Sequence, residues 1–325
     1  MSGPATSTSL KQPAPALQER YAQAVCPERV RRDVPLAPLT TFRIGGAADL
    51  YYRARTSEEL SRAVCVAREM GVPSFLLGRG SNILVGDGGF RGVVIRSDIA
   101  TLEFRPGGRV VAGAGLDVFP NLINATVARG LGGLHHCVGI PSTVGGAVNG
   151  NLHFLAAPPA RDRTVFWAEV MEGATVLTPG GEVRYEGSQY FRFGYNSSVL
   201  QKTGDVVLDV SLKLVPTPRP ELRRVIRENL AWRNERFPAL WLYPNAGSIF
   251  QLIDGINAGL LIDECGLRGH VHGAAQISHR HANMIVNLGG ATSAEVMTLI
   301  EMSREAVARE MGYELETEIE FVGEF

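Results

Sequence analysis

Two glycine-rich loops constrain the fold of this chain more than any other feature of its sequence. The first glycine loop covers residues 77–85 (LGRGSNILV), and the second glycine loop covers residues 139–147 (GIPSTVGGA). Each loop joins two apolar runs, and its glycines let bare backbone N–H groups come close to a large ligand. One such loop is as easily a tight turn between strands. Two in one chain favour a phosphate-rich cofactor that is held from both sides.

Neither loop contains a standard nucleotide-binding motif. Residues 78–83 and 113–118 have the first two glycines of GxGxxG but lack the third, and the P-loop pattern GxxxxGK followed by Ser or Thr does not occur. These differences disfavour a Rossmann dinucleotide site and a P-loop. We therefore expect loop N–H groups to hold a pyrophosphate in another way, with Ser81 and Asn82 as side-chain donors.

The composition argues against several classes of partner. The 325 residues are 45% hydrophobic and carry 32 basic and 33 acidic side chains, a net charge of −1, whereas nucleic-acid and membrane-surface binders usually show a basic excess. No apolar run approaches the roughly 18 residues that span a bilayer. The four cysteines form no CxxC pair, which predicts free thiols in a reducing cytoplasm. The N-terminal residues, rich in Ser, Thr, Pro and Ala, predict a disordered tail rather than a signal peptide.

Hydrophobic periodicity and turn residues predict an α+β protein with two units. We expect a poorly ordered tail over residues 1–32, a first unit over 33–216 and a second unit over 219–325, joined by a proline-rich linker. The predicted helices cover residues 56–70, 117–129, 221–236 and 294–311. The predicted strands cover residues 48–54, 73–77, 102–105, 109–112, parts of 165–184, 208–214 and 315–321.

Six segments in this order resemble the UDP-N-acetylenolpyruvoylglucosamine reductases, the MurB family. Besides the two glycine loops they are residues 40–48 (TTFRIGGAA), 193–198 (FGYNSS), 245–250 (NAGSIF) and 281–287 (HANMIVN). The resemblance implies an FAD-binding fold of the PCMH, or vanillyl-alcohol-oxidase, type with two α+β subdomains, followed by a C-terminal α+β substrate-binding domain. The link between residues 196 and 248 leaves little room for the tyrosine-bearing insertion of one family branch, which favours the other, shorter branch.

The resemblance also implies an activity. In the implied activity, NADPH reduces a non-covalently bound FAD. The reduced FAD then converts the enolpyruvyl ether of UDP-N-acetylglucosamine to UDP-N-acetylmuramate for peptidoglycan synthesis. We expect a cytoplasmic monomer that acts on a UDP-sugar and has no nucleic-acid or membrane partner. Two alternatives stay open: an FAD oxidoreductase on a related substrate, and a weakly active homologue that only binds flavin or UDP-sugar.

Two catalytic roles follow from the resemblance. Ser248 matches the family's proton donor, although the residues alone favour a helix or turn cap. Glu318 matches the family's C-terminal glutamate, which orients or stabilises the enolate end of the substrate. The pattern alone does not separate Glu318 from Glu316 and Glu320, because an acidic row of this kind is usually solvated.

The resemblance assigns binding roles to further residues. Tyr195 and Asn245 fall at substrate-binding positions. The implied flavin-binding residues are Arg43, Gly78, Gly80, Ser81, Asn82, Ile83, Leu84, Gly139, Ser142, Thr143, Gly145, Gly146 and Ala147.

This sequence departs from the family's pattern at the reaction centre. Asn196 stands where the family has an arginine that stabilises the developing carboxylate charge, and it has amide donors but no charge. Losing one such donor can cost about 100- to 1,000-fold in rate. Ser142 replaces a usual glycine, Gln251 a common lysine, and residues 153–167 are unlike the family's small-residue stretch. We hypothesise that the missing charge comes from one of three arginines, Arg161, Arg163 or Arg192.

The histidines offer a rival interpretation. Residues 270–272 and 279–281 are two HxH pairs, a spacing that can place two imidazoles on one face of a strand and bind a metal. Carboxylates at useful spacing are not evident nearby, and His281 is accounted for by the resemblance. We therefore predict no metal site.

Overall fold

The computed structural model describes residues 14–325, which form alternating helices and strands. The helices are α1 Pro15–Val25, α2 Ser57–Met70, α3 Ile123–Ala128, α4 Val144–Asn149, α5 Leu200–Thr203, α6 Arg219–Arg236, α7 Ala258–Glu264 and α8 Ser293–Met311. The strands of the first half are β1 Arg31–Pro35, β2 Ala47–Ala54, β3 Ser74–Leu77, β4 Ile83–Val85, β5 Phe90–Ser97, β6 Leu102–Arg105, β7 Arg109–Gly113 and β8 Leu131–Gly132. The remaining strands are β9 His153–Leu155, β10 Thr164–Phe166, β11 Met171–Leu177, β12 Val183–Gly187, β13 Val206–Lys213, β14 Val215–Pro216, β15 Val271–His272, β16 Ala275–Ile277, β17 Ile285–Asn287 and β18 Glu320–Val322.

The first sheet has the strand order β1-β2-β5-β3 and is covered by α2. β1 runs antiparallel to β2, whereas β2 and β3 run parallel to β5. The predicted helix of this unit is confirmed at both ends. The Thr56 side chain accepts a hydrogen bond from the Glu59 N–H, and Gly71 ends α2 with a φ of 64°, where a left-handed residue is needed.

The second sheet is antiparallel, with the order β12-β11-β13-β7-β6. The predicted hairpin is confirmed as β6 and β7, and the predicted period-two strand is confirmed as β13, whose alternate residues are buried. Side chains from α2, from the first sheet and from β13 share one apolar core, with Leu60 of α2 packing in the same cluster as Leu208 of β13. α2 is thus the layer between the two sheets.

The C-terminal unit packs α7 and α8 with the sheet β15-β16-β17. The predicted capping box of α8 is confirmed, since Thr292 and Glu295 each accept a hydrogen bond from the other's N–H. The apolar core of the C-terminal unit also contains Phe42 and Leu84 of the first unit. The C-terminal unit is therefore built directly against the segment that carries the first glycine loop.

The chain returns to the first unit at its last strand. β18 pairs in parallel with β4, which forms the end of the first glycine loop, with Glu320 opposite Ile83 and Val322 opposite Val85. This pairing places the acidic row of residues 316–320 beside that loop. The strand predicted over 315–321 is regular only in β18, because the chain before it pairs instead with residues 249–251 through single bridges.

The poorly ordered tail predicted over residues 1–32 does not hold for its described part. Residues 1–13 lie outside the described residues, whereas α1 begins at Pro15 and β1 at Arg31. Tyr21 of α1 is fully buried, and its hydroxyl donates a hydrogen bond of 3.2 Å to the Ala63 carbonyl of α2. The prediction was wrong here because a Pro- and Ala-rich composition is also compatible with an amphipathic helix that has a proline in its first turn.

The helix predicted over residues 117–129 is regular only as α3. Phe119 has extended dihedral angles of −124° and 131°, and Pro120 has no N–H to donate. The interruption therefore falls where proline chemistry requires it. In the described part of the chain, no helix combines the length and the apolar character that crossing a membrane requires.

Candidate active site

The two glycine loops contact each other directly. The Ser81 hydroxyl of the first loop donates a hydrogen bond of 2.5 Å to the Pro141 carbonyl of the second. A Cβ on Gly78 would lie 2.9 Å from the Thr143 hydroxyl oxygen, so the backbones approach as closely as they do because Gly78 has no side chain. The sequence prediction that the two loops flank one site agrees with this geometry.

The first loop presents N–H groups with no internal acceptor. Gly80 has a φ of 58°, and its carbonyl accepts hydrogen bonds from both the N–H and the hydroxyl of Thr41. Within residues 14–325, the N–H groups of residues 79–81 donate to no acceptor. Successive N–H groups around a left-handed residue form a concave anion site, which suits a pyrophosphate. The residues present therefore fit the phosphates of FAD.

The second loop uses its N–H groups differently. Those of Val144 and Gly145 donate to the carbonyls of Leu116 and Ala114, and that of Gly146 donates to the Thr143 hydroxyl. The Ser142 hydroxyl donates to the Thr143 carbonyl. The loop is therefore a wall that packs against the first loop through Gly78 and Thr143, while within residues 14–325 the N–H groups of Ser142 and Thr143 donate to no acceptor.

Arg43 lies on the turn that supports the first loop. It has a φ of 55°, its N–H donates to the Thr40 hydroxyl, and its carbonyl accepts from the Asn287 amide. The Arg43 side chain is exposed. The turn thus links the first glycine loop to β17 of the C-terminal unit.

Glu318 sits between the first glycine loop and the segment of Ser248. Its carbonyl accepts a hydrogen bond of 3.2 Å from the Asn82 side chain, and its N–H donates one of 2.7 Å to the Ile249 carbonyl. Burial raises the pKa of the Glu318 carboxyl to about 7. The amide of Asn196 faces this carboxyl and offsets part of the rise. The structure therefore separates Glu318 from its neighbour Glu316, which is exposed.

The Tyr195–Asn196 turn reaches the same carboxyl. Burial, and then the nearby Glu318 charge, raise the pKa of the Tyr195 hydroxyl. Asn196 has a φ of 50°, and its Nδ2 is buried without a well-formed hydrogen bond to any described residue. A buried amide donor that lacks a partner is costly unless a ligand supplies an acceptor. The structure thus brings Tyr195, Asn196 and Glu318 together, with the Asn196 amide facing the Glu318 carboxyl.

Ser248 and Asn245 occupy one turn, and their side chains differ in use. The Asn245 amide donates to the Tyr243 carbonyl and accepts from the Gly247 N–H, so it holds the turn in shape. The Ser248 hydroxyl, half-buried, makes no hydrogen bond within the described chain. Ser248 is therefore free to donate to a substrate, whereas Asn245 is engaged locally.

The three candidate arginines are directed elsewhere. Arg163 pairs with Glu169 at 2.9 Å on the surface, and Arg161 lies over the Trp232 ring at 5.1 Å. Arg192 is exposed, at a left-handed position with a φ of 43°. None of these contacts involves Tyr195, Asn196 or Glu318, so the hypothesis of a replacement cation receives no support from the geometry.

Sequence reasoning missed the residues that support the turn. The Asn151 side chain donates a hydrogen bond of 2.9 Å to the Gly194 carbonyl, and the His153 ring lies 4.7 Å from the Tyr195 ring between centroids. The one available signal was that both residues border the segment that is unlike the family's. For the histidine pairs, no group of three or more His, Cys, Asp or Glu residues in the described part of the chain is placed to hold a metal.

Comparisons with known proteins bear on this site. The family model for the FAD binding domain matches residues 48–185, and that for the C-terminal domain of UDP-N-acetylenolpyruvoylglucosamine reductase matches residues 238–322. The reductase of Moorella thermoacetica is 42% identical over 296 residues, which cover 91% of this chain and 94% of that protein. This chain belongs to the UDP-N-acetylenolpyruvoylglucosamine reductase family.

Other relatives agree. Reductase 2 of Symbiobacterium thermophilum is 38% identical, with 91% of this chain and 93% of that protein covered. The crystal structure of the reductase (MurB) from Thermus caldophilus matches with a TM-score of 0.74 and 34% identity, over 90% of this chain and 99% of that one. These matches confirm the predicted α+β fold with a PCMH-type FAD-binding domain and a C-terminal domain. The predicted boundaries, 33–216 and 219–325, stay predictions.

Proposed function

We propose that this chain catalyses the NADPH-dependent, FAD-mediated reduction of UDP-N-acetylglucosamine enolpyruvate to UDP-N-acetylmuramate. The observation that carries the proposal is the hydrogen bond from Asn82 of the first glycine loop to Glu318. It joins the candidate flavin site to the candidate acid–base site at a single point. The proposal includes a cytoplasmic monomer that acts on a free UDP-sugar, a setting that suits the balanced charge of the chain.

The loop chemistry supports a proposed place for the cofactor. The N–H groups of residues 79–81 would hold the pyrophosphate, and the wall formed by the second glycine loop would limit how the flavin lies. When bound, FAD reduced by NADPH supplies hydride chemistry to the enolpyruvyl double bond. What remains for the protein is to place the substrate, to stabilise the developing charge and to deliver one proton.

Three residues would deliver the proton and stabilise the developing negative charge. Hydride addition at the terminal CH2 leaves negative charge on the adjacent carbon and the carboxylate, so a donor is needed at each place. The free hydroxyl of Ser248 would deliver the proton to the adjacent carbon. The buried Nδ2 of Asn196, which makes no well-formed hydrogen bond within the described chain, would donate to the substrate carboxylate. Because burial raises the pKa of Glu318 to about 7, its protonated form is accessible near neutral pH and would donate a second hydrogen bond there.

The test begins with the purified protein and its visible flavin absorption. NADPH oxidation is then followed with and without UDP-N-acetylglucosamine enolpyruvate. The proposal expects a flavin spectrum and oxidation that depends on this substrate. A protein without flavin would refute it, and flavin without substrate-dependent turnover would leave the related-substrate or binding function.

Matched variants locate the chemistry. Ser248→Ala and Glu318→Gln should each lower kcat by about 100-fold or more, as for other donors to developing charge. Glu316→Gln is the control, because Glu316 is exposed on the same row. Equal losses in Glu316→Gln and Glu318→Gln would count against the assigned role of Glu318.

A further inference from the structure

The hairpin of β9 and β10 packs an aromatic pair against Tyr195. His153 and Phe166 stand directly opposite each other in the antiparallel register of this hairpin. The His153 ring lies 5.0 Å from the Phe166 ring and 4.7 Å from the Tyr195 ring, and the Phe166 and Tyr195 rings are 6.5 Å apart. These separations are those of favourable aromatic pairs. Tyr195, itself nearly half exposed, is therefore held from one side by the hairpin.

The base of the same hairpin holds the backbone next to Tyr195. Asn151 is buried, and its amide nitrogen donates to the Gly194 carbonyl at 2.9 Å while its amide oxygen accepts from the Ala168 N–H at 3.2 Å. Nδ1 of His153 lies 3.0 Å from the Asn151 carbonyl oxygen. The side chain of Tyr195 and the peptide before it are thus tied to one short structural element.

The imidazole of His153 serves as a neutral ring in this cluster. Its burial lowers the His153 pKa, while the contact with the Asn151 carbonyl opposes the decrease. A neutral ring packs on Tyr195 without adding a charge near the substrate carboxylate.

We propose that His153 and Phe166 are positioning residues that act through Tyr195 and set where the Asn196 amide stands relative to Glu318. The proposal rests on the function proposed above. The geometry is that of a chain of contacts: the hairpin holds Tyr195, Tyr195 precedes Asn196 at its left-handed turn, and the Asn196 amide faces the Glu318 carboxyl. The aromatic contacts of His153 and Phe166 are with each other and with Tyr195.

The two half-reactions separate this role from a merely structural one. In rapid-mixing experiments, NADPH first reduces the flavin and the enolpyruvyl UDP-sugar then reoxidises it. His153→Ala should leave the first step unchanged and slow the second by roughly 10- to 100-fold, the effect expected of a displacement of about 1 Å. His153→Phe should restore most of the rate, because it keeps a ring against Tyr195.

The control lies on the same hairpin. Phe154 packs at 5.8 Å from the Trp232 ring of α6 rather than on Tyr195, so Phe154→Ala should leave reoxidation within about two-fold of wild type. Three results overturn the proposal: wild-type reoxidation in His153→Ala, no rescue in His153→Phe, or an equal slowing in Phe154→Ala.

A second measurement does not depend on the proposed reaction. Fluorotyrosine at position 195 gives a ¹⁹F resonance whose shift reports the rings packed on it. His153→Ala should move this resonance, and Phe154→Ala should not. If the wild-type protein fails to use the enolpyruvyl substrate, the proposed function is wrong. If the ¹⁹F resonance does not move in His153→Ala, the positioning role is wrong whatever the reaction.

Discussion

The side-chain nitrogen of Asn82 donates a hydrogen bond of 3.2 Å to the main-chain oxygen of Glu318, 236 residues further along the chain. The N–H of Glu320 in turn donates a hydrogen bond of 3.0 Å to the Asn82 carbonyl. Asn82 of the first glycine loop is thereby bonded through its side chain and its backbone to the segment that carries the candidate carboxyl. Any change that moves the loop also moves Glu318.

Asn82→Ala should affect turnover more than stability. Removing the donor costs about 1 kcal/mol of unfolding free energy and lets the Glu318 backbone shift, so we expect kcat to fall by about 10-fold or more. Steady-state kinetics and urea unfolding of the flavin-loaded protein check this. Asn257→Ala is the control, because it also removes one side-chain hydrogen bond: the Asn257 side-chain oxygen accepts from the Gly259 N–H at the start of α7. Equal kinetic losses in both variants would contradict the prediction.

The raised pKa of Glu318 predicts a pH-dependent effect of Glu318→Gln on stability. Because the carboxyl has a pKa near 7 in the folded protein, against an ordinary value of 4.5 when it is solvated in the unfolded chain, folding favours its protonated form. The contribution of this group is most favourable below pH 4.5 and is lost as the pH rises through 7. Glu318→Gln should therefore be more stable than wild type above pH 7 and should gain nothing at pH 4.5.

Urea unfolding across this pH range measures the difference. Glu316→Gln should show no such trend, because Glu316 is exposed. A gain in Glu318→Gln that is independent of pH would mean that the Glu318 carboxyl titrates normally.

Asn196→Arg should return a charge to the turn. A guanidinium facing Glu318 favours its ionised form, so the pKa of Glu318 should fall and the pH profile of kcat should move to lower pH. Below the lowered pKa of Glu318, where its protonated form is kept, we expect kcat to rise on the order of 10-fold, since a cation stabilises carboxylate charge better than an amide does. Asn196→Gln lengthens the side chain without charge and is the control. An unchanged profile in Asn196→Arg would show that Asn196 does not face Glu318 during turnover.

Gly80→Ala should weaken flavin binding. The new Cβ would lie 2.9 Å from the Thr40 Cα, at a φ of 58°, so the first glycine loop must move. Gly71→Ala is matched in conformation, with a φ of 64°, but its Cβ would meet nothing within 4 Å. Titration of the apoprotein with FAD should give a Kd raised by about 10-fold or more for Gly80→Ala only. Both variants should lose about 1 kcal/mol of unfolding free energy.

The elements that sequence reasoning predicted well are those defined by local chemistry. α2 and α8 have side-chain caps at their starts and left-handed glycines after their ends, and all of these signals lie within a few residues of the helix. α1 was missed because its burial depends on contact with α2, which composition does not report. The interruption at Pro120 was missed because the apolar spacing around it is helical.

The candidate site shows the same contrast between features that local sequence marks and features that distant packing decides. The glycine loops and the Tyr195–Asn196 turn could be located because each is a contiguous motif. The choice of Glu318 over Glu316 and Glu320 depended on the resemblance, because burial on an alternating row is decided by distant packing. The support from His153 depends on strand pairing in a hairpin that no local pattern marked.

The parallel pairing of β4 with β18 has a consequence for biosynthesis. Among residues 14–325, β18 is the strand with which β4 forms a ladder. A nascent chain that has emerged as far as α8 carries both glycine loops, yet β4 at the end of the first loop still lacks its partner strand. We therefore expect stable flavin capture to come late in translation, because a chain truncated before residue 320 would keep the contacts of the first glycine loop with Thr41 and Pro141 but lack its pairing with β18.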